Sequence, residues 1–301
     1  MRSILAITAM LGLALPIRSQ EAPRPIIDIH LHAYPALQPT AEDSIWIPLD
    51  IPLPATDTLL MDQTIAKMEQ HNIVLGVLSG SRTLVAAWAD RAPDRFIRGV
   101  QVSNVSGTPS SVETVRGWIE AGDVEAFGEF SVQYSDMRLD DDRVMPYMAL
   151  LEELDVPLFV HLGPGPRHGT IREGSQYTID AGDPLALERV LAAHPDLRVA
   201  ILHAGWPMGD DVIALLHSYP QVYVGVGVIN WYIARPEFHR YLQRIVEAGF
   251  GDRVLFGSDQ MHWPEAIDLA IESIEEAPFL SEAQKDDIFY NNAARFLKLG
   301  H

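Results

Sequence analysis

A chain of 301 residues, 48% of them apolar, can build a sizeable core and fits one large α/β domain or two small ones. It has no cysteine, which excludes disulfides, thiolate metal sites and a cysteine nucleophile together. The formal charge of −19, from 22 basic and 41 acidic residues, repels polyphosphate, so nucleic acid is not expected as substrate or partner.

The chain opens on MRSILAITAMLGLALPIRSQ, where Arg2 precedes an apolar run from Ile4 to Leu15 that ends at Pro16. The run is too short to span a bilayer as a helix, but it suits the apolar region of a signal peptide. Residues 1–20 are therefore expected to be an export leader, although no A-x-A-like triplet precedes Glu21. The other reading is an apolar helix packed on the domain. Export predicts a periplasmic or secreted protein with no membrane attachment once the leader is removed; otherwise the protein is cytoplasmic. Residues 21–301 are read as one domain with a C-terminal helix.

From residue 25 onward, short apolar runs alternate with amphipathic stretches. The strand candidates are 26–32, 73–80, 96–103, 124–131, 156–163, 198–205, 221–229 and 253–259. Between them, 58–72, 143–155, 184–196 and 236–249 carry apolar residues at helical spacing. This alternation implies a parallel sheet, and its repeat number predicts an α/β fold closed as a (β/α)8 TIM barrel. An open doubly wound sheet is the competing architecture. It lacks support because no G-x-G-x-x-G follows the first strand.

In such a barrel, functional residues come from the C-terminal ends of strands. Here those ends carry His30 and His32, Glu129, His161, His203 and Asp259. His30 and His32 lie two apart in IIDIHLH, so they share a strand face. Their imidazoles can grip one ion there, a better account of the pair than core packing. His161 offers a third nitrogen, and Asp259 can bind an ion or take a proton from water. His203 is either a further ligand or a general acid/base. A divalent ion with nitrogen and oxygen ligands activates water for hydrolysis near neutral pH. Neither a G-x-S-x-G elbow nor a cysteine offers a covalent route.

DIHLH, the histidines at the fifth and sixth strand ends, GSD at the eighth and the closing NNAARFL resemble the amidohydrolase superfamily. The similarity is to its amidohydrolase-2 branch, which includes aminocarboxymuconate-semialdehyde decarboxylase-like enzymes and lactonases, and runs from about residue 25 to the end. The resemblance implies that His30, His32, His161 and Asp259 hold a divalent ion, commonly zinc. It also implies that His203 is the acid/base histidine, or a ligand if two ions bind, and that Asp259 is the base for the activated water. Glu129, in AFGEFS, resembles the bridging glutamate of TatD-like hydrolases. It stays open as a bridging ligand, a substrate-contacting carboxylate or a buried structural acid.

Substrate contacts are expected from Arg82 after the second strand, Arg167 and His168 after the fifth, Trp46 in the long first loop, and Trp206. Asn230, Trp231 and His262 are further candidates for the pocket wall. His71, His194, His217 and His239 are read as structural. Three functions follow: a metal-dependent hydrolase of a small amide, ester or lactone; a metal-dependent decarboxylase of a small aromatic or unsaturated acid; or a barrel that binds without turnover. The intact His203 and Asp259 argue against the third. The expected partner is a small-molecule substrate, with a homodimer as the base-rate assembly.

Overall fold

The structure is a computed structural model that describes residues 23–38, 51–101, 110–135, 137–171 and 175–300. The expected leader (1–20) and Trp46 lie outside the described residues. Eight parallel strands follow one another in strict sequence order. They are β1 (Ile26–Ala33), β2 (Ile73–Gly80), β3 (Phe96–Val100), β4 (Ala126–Phe130), β5 (Leu158–His161), β6 (Val199–Leu202), β7 (Val222–Gly225) and β8 (Val254–Leu255). Helices cover the outside, so the fold is the expected (β/α)8 barrel.

Local sequence explains the early βα turns. Thr56, Ser81 and Ser111 each cap the helix that follows by accepting a backbone N–H from Leu59, Leu84 and Thr114. These caps start α1 (Asp57–Gln70), α2 (Arg82–Arg91) and α3 (Val112–Glu120). Next come α4 (Met145–Glu153), α5 (Glu188–Ala193), α6 (Gly209–Ser218), α7 (Ile229–Tyr232), α8 (Arg235–Ile245), α9 (Ala266–Glu275), α10 (Glu282–Asp286) and α11 (Asn292–Phe296).

The strands divide their side chains between two cores. Ile27, Ile29, Val77, Ala126, Phe159, Ala200, Leu202 and Leu255 pack together as the barrel interior. Phe296 of the C-terminal α11 joins this interior cluster, with ring centroids 5.6 Å from Phe159 and 5.0 Å from Tyr223. Leu31, Leu78, Phe127, Phe130, Val160, Ile201 and Val224 face outward and pack with helix residues such as Leu60, Met68 and Trp88.

Two strands break their alternation where function is expected. In β1, Ile27 and Ile29 belong to the interior, yet Leu31 and Ala33 belong to the outer core, and the pairing register slips between Asp28 and Leu31. The slip lets Ile29 and His30, adjacent in sequence, line the same interior space. In β4 the register slips between Phe127 and Phe130, and Glu129 joins that space while both phenylalanines face out. Such irregularities re-aim side chains beside active sites. Gly128 permits the second one: at φ +148°, a Cβ there would lie 2.3 Å from the Phe159 carbonyl oxygen.

Two expected strand ends are corrected. β6 stops at Leu202, and His203 begins a short turn with φ 57°. The β8 ladder covers only Val254–Leu255, and Asp259 lies beyond it with φ 52°. Left-handed backbone takes both residues off the strand direction, so they sit on turns over the barrel end. The join between β8 and β1 is held by single bonds, including Ile29 N–H to the Phe256 carbonyl (3.0 Å) and Asp259 N–H to the His30 carbonyl (2.8 Å).

Candidate metal centre

The structure brings His30, His32, Glu129, His161, His203 and Asp259 together, and all six are buried. His30 Nε2 and His32 Nε2 face each other at 3.0 Å. Asp259 Oδ1 lies 2.9 Å from His32 Nε2 and 3.7 Å from His30 Nε2. Across the site, His161 Nδ1 and His203 Nε2 are 2.9 Å apart. Glu129 stands between these groups. Its Oε1 is 2.5 Å from His161 Nδ1 and 3.1 Å from His203 Nε2, and its Oε2 is 3.5 Å from His32 Nε2 and 3.6 Å from His30 Nε2.

Backbone and amide contacts set these orientations. His203 Nδ1–H donates to the Gly227 carbonyl at 3.1 Å, which turns Nε2 toward Glu129. A Cβ on Gly227 would come within 3.0 Å of His30 Nδ1, so the residue leaves room for that ring. Gln133 Nε2–H donates to the His161 carbonyl at 2.6 Å, and Tyr34 stacks on His32 with centroids 4.4 Å apart.

The charge pattern suits a cation. Burial pushes the Glu129 carboxyl upward, but the charge of His161 and hydrogen bonds from His161, His203 and His30 outweigh it and hold the group well below the usual carboxylate range. Burial also opposes ionisation of Asp259, yet His30, His32 and His203 keep its pKa lowered. Burial and the neighbouring charge of His203 lower His161. For His203, burial is outweighed by Glu129 and Asp259, and the ring's pKa is raised. The donor set itself shows a mismatch that a cation would relieve. Asp259 Oδ1 is buried and has no hydrogen-bond partner among the described residues, although two imidazole nitrogens face it. Imidazole nitrogens turned toward one another and toward two carboxylates fit a divalent ion better than they fit each other.

The amidohydrolase family model matches residues 27–299. The chain belongs to the amidohydrolase family. It is an enzyme of this superfamily, and solved structures share its fold at low sequence identity. An uncharacterised TIM-barrel protein from Bordetella bronchiseptica superposes with TM-score 0.70 at 20% identity, covering 91% of this chain and 98% of that one. A probable 2-pyrone-4,6-dicarboxylic acid hydrolase from Acinetobacter baumannii, with citric acid bound, gives 0.64 at 16% identity, over 91% and 99%. A dihydroxybenzoic acid decarboxylase from Polaromonas sp. JS666, with bound manganese and the inhibitor 2-nitroresorcinol, gives 0.59 at 15% identity, over 92% and 98%. No curated protein matches the chain in sequence.

The residues expected to touch substrate are placed differently from the six. Arg82 forms an ion pair with Asp123 and lies over the Trp118 ring of α3, 4.7 Å from its centroid. Trp206 packs against the outer core, and its Nε1–H donates to Glu237 at 3.3 Å. Asn230 and Trp231 brace the β8 end by donating to the Gly257 and Ser258 carbonyls. Arg167 and His168 are exposed on the stretch after β5. His262 sits beside Tyr34, with centroids 5.3 Å apart. His71, His194 and His239 bind Asp268, Glu152 and the Ser273 carbonyl.

The sequence reading missed Tyr34, Tyr134, Gln133 and Gln260. Tyr134 Oη lies 3.4 Å from His161 Nε2. The available signal was position: each follows an expected strand end by one to three residues, where an aromatic or amide is easily read as loop.

Proposed function

We propose that this amidohydrolase hydrolyses a small lactone, ester or amide, with His30, His32, His161, His203, Glu129 and Asp259 holding one or two divalent ions. The observation that carries this reading is the placement of Glu129, one carboxylate oxygen toward each histidine pair. A divalent ion bound there acidifies water and polarises the substrate carbonyl. Asp259, held ionised, accepts the proton of the attacking water as its oxygen bonds to the acyl carbon. The bond from that carbon to the leaving oxygen or nitrogen then breaks, and the proton passes to the leaving group. His203, with Nδ1 held by Gly227, keeps Nε2 available on the inner side. Tyr34 and Tyr134 stay protonated because burial and the charge of Glu129 raise both phenols, so each can donate to a substrate oxygen.

Decarboxylation is the second reading. Each group of three, such as His30, His32 and Glu129, could hold a single ion, and the manganese-bound structural neighbour is a decarboxylase. The metal is therefore proposed only as divalent, with zinc and manganese both to be tried. Export to the periplasm and a homodimer remain part of the proposal.

The test is to load purified protein with zinc or manganese and supply small lactones, esters and amides beside dihydroxybenzoates. Acid release from the first set without carbon dioxide from the second supports hydrolysis. Carbon dioxide release alone replaces it with the decarboxylase reading.

A further inference from the structure

β8 forms a ladder with β7 but none with β1, so the barrel's last seam must be closed by other means. Single backbone bonds hold it as far as His30, and at His32 the closure is completed by one side chain. Gln260 is fully buried, accepts the His32 N–H at Oε1 and donates from Nε2 to the His32 carbonyl, both at 2.9 Å. These are the two bonds a neighbouring strand would make with that peptide. The backbone cannot make them, because Asp259 at φ 52° has already turned the chain aside. The amide orientation is unambiguous, since one partner only donates and the other only accepts.

We propose that Gln260 is a positioning residue of the metal centre, holding the His32 peptide so that the His32 ring stays against Asp259. Its own backbone follows directly from Asp259, whose N–H is held by the His30 carbonyl at 2.8 Å. The Gln260 amide thus ties His32 to the turn that carries Asp259, and the Asp259 backbone in turn ties that turn to His30. Partners that orient ligands from behind commonly govern metal affinity about 10–100-fold.

This inference rests on reading the cluster as a metal centre, and the test separates the two. Zinc and manganese affinities are measured by chelator competition on wild type, Gln260→Met, Gln260→Glu and Asn292→Ala. Met keeps length without the amide, whereas Glu keeps the acceptor and sets an oxygen against the His32 carbonyl. Asn292 is the control: its Nδ2 braces the far end of β8 through the Gly251 and Val254 carbonyls. The expected result is an affinity about 10–100-fold weaker in both Gln260 variants. Asn292→Ala should lower the melting temperature and leave the affinity within twofold of wild type. Wild-type affinity in folded Gln260 variants would overturn the proposal, leaving Gln260 as a seam brace. Failure of both variants to fold would overturn it equally, because the barrel and not the centre would then depend on the amide. A wild type that binds neither metal would remove the metal-centre reading itself, and the inference with it.

Discussion

Glu129 Oε1 lies 2.5 Å from His161 Nδ1 inside a barrel end where each side chain is 9% exposed. A buried carboxylate this close accepts the Nδ1–H of the imidazole, and a cation entering between them must displace that hydrogen bond.

Metal uptake should be coupled to proton release through His203. Burial opposes a proton on His203, but Glu129 and Asp259 outweigh it and raise its pKa, so this ring holds a proton to higher pH than a free imidazole does. Affinity should fall as the pH falls, by about tenfold per pH unit for each proton displaced. Calorimetry in buffers of different ionisation enthalpy measures the number. An affinity that is flat between pH 6 and 8 would contradict the raised pKa assigned to His203.

Asp28 makes a second pH-dependent contribution. Burial raises its carboxyl to about 7, against hydrogen bonds from Ser258 and the His30 N–H that pull it down. Between the ordinary carboxylate range and about 7, the folded chain keeps a proton that the unfolded chain has released. Stability should thus decline as pH rises through that window. Asp28→Asn keeps the acceptor for the His30 and Ser258 N–H groups and cannot ionise. It should match wild type near pH 4 and exceed it at pH 8, by at most about 4 kcal/mol. Denaturant melts of metal-free protein at the two pH values decide; a constant difference between the variants would refute the account.

Gly128→Ala should be severely destabilising. A Cβ would meet the Phe159 carbonyl at 2.3 Å, and φ +148° disfavours any side chain. The neighbour is backbone and cannot give way cheaply, so a loss of at least about 3 kcal/mol is expected. Glu129 should leave the site at the same time. A well-folded variant with normal metal content would contradict the role given to this glycine.

Most of the barrel could be read from the chain because eight apolar runs at even spacing have few other solutions. Five of them also end in residues that are costly to bury without purpose. Period-two alternation correctly put His30 and His32 on one face. It could not show that the register slips just before His30, or that Glu129 reaches the interior through a second slip at Gly128. Those are backbone irregularities with little sequence signature beyond one glycine. The mouth was harder still. Arg82 looked available for substrate because it follows β2, but the helix it begins aims it at Asp123 and Trp118. Gln260 went unremarked because its work is to replace a strand's peptide, which depends on three-dimensional closure and not on local pattern.

Metal content per chain, measured on wild type and on Glu129→Ala by elemental analysis after loading with zinc or manganese, tests the centre most directly. A carboxylate set between two histidine pairs predicts two ions in wild type, falling to one or none in the variant. One ion in both would remove Glu129 from the metal shell and bring the decarboxylase reading level with hydrolysis. No ion in either protein would contradict the account.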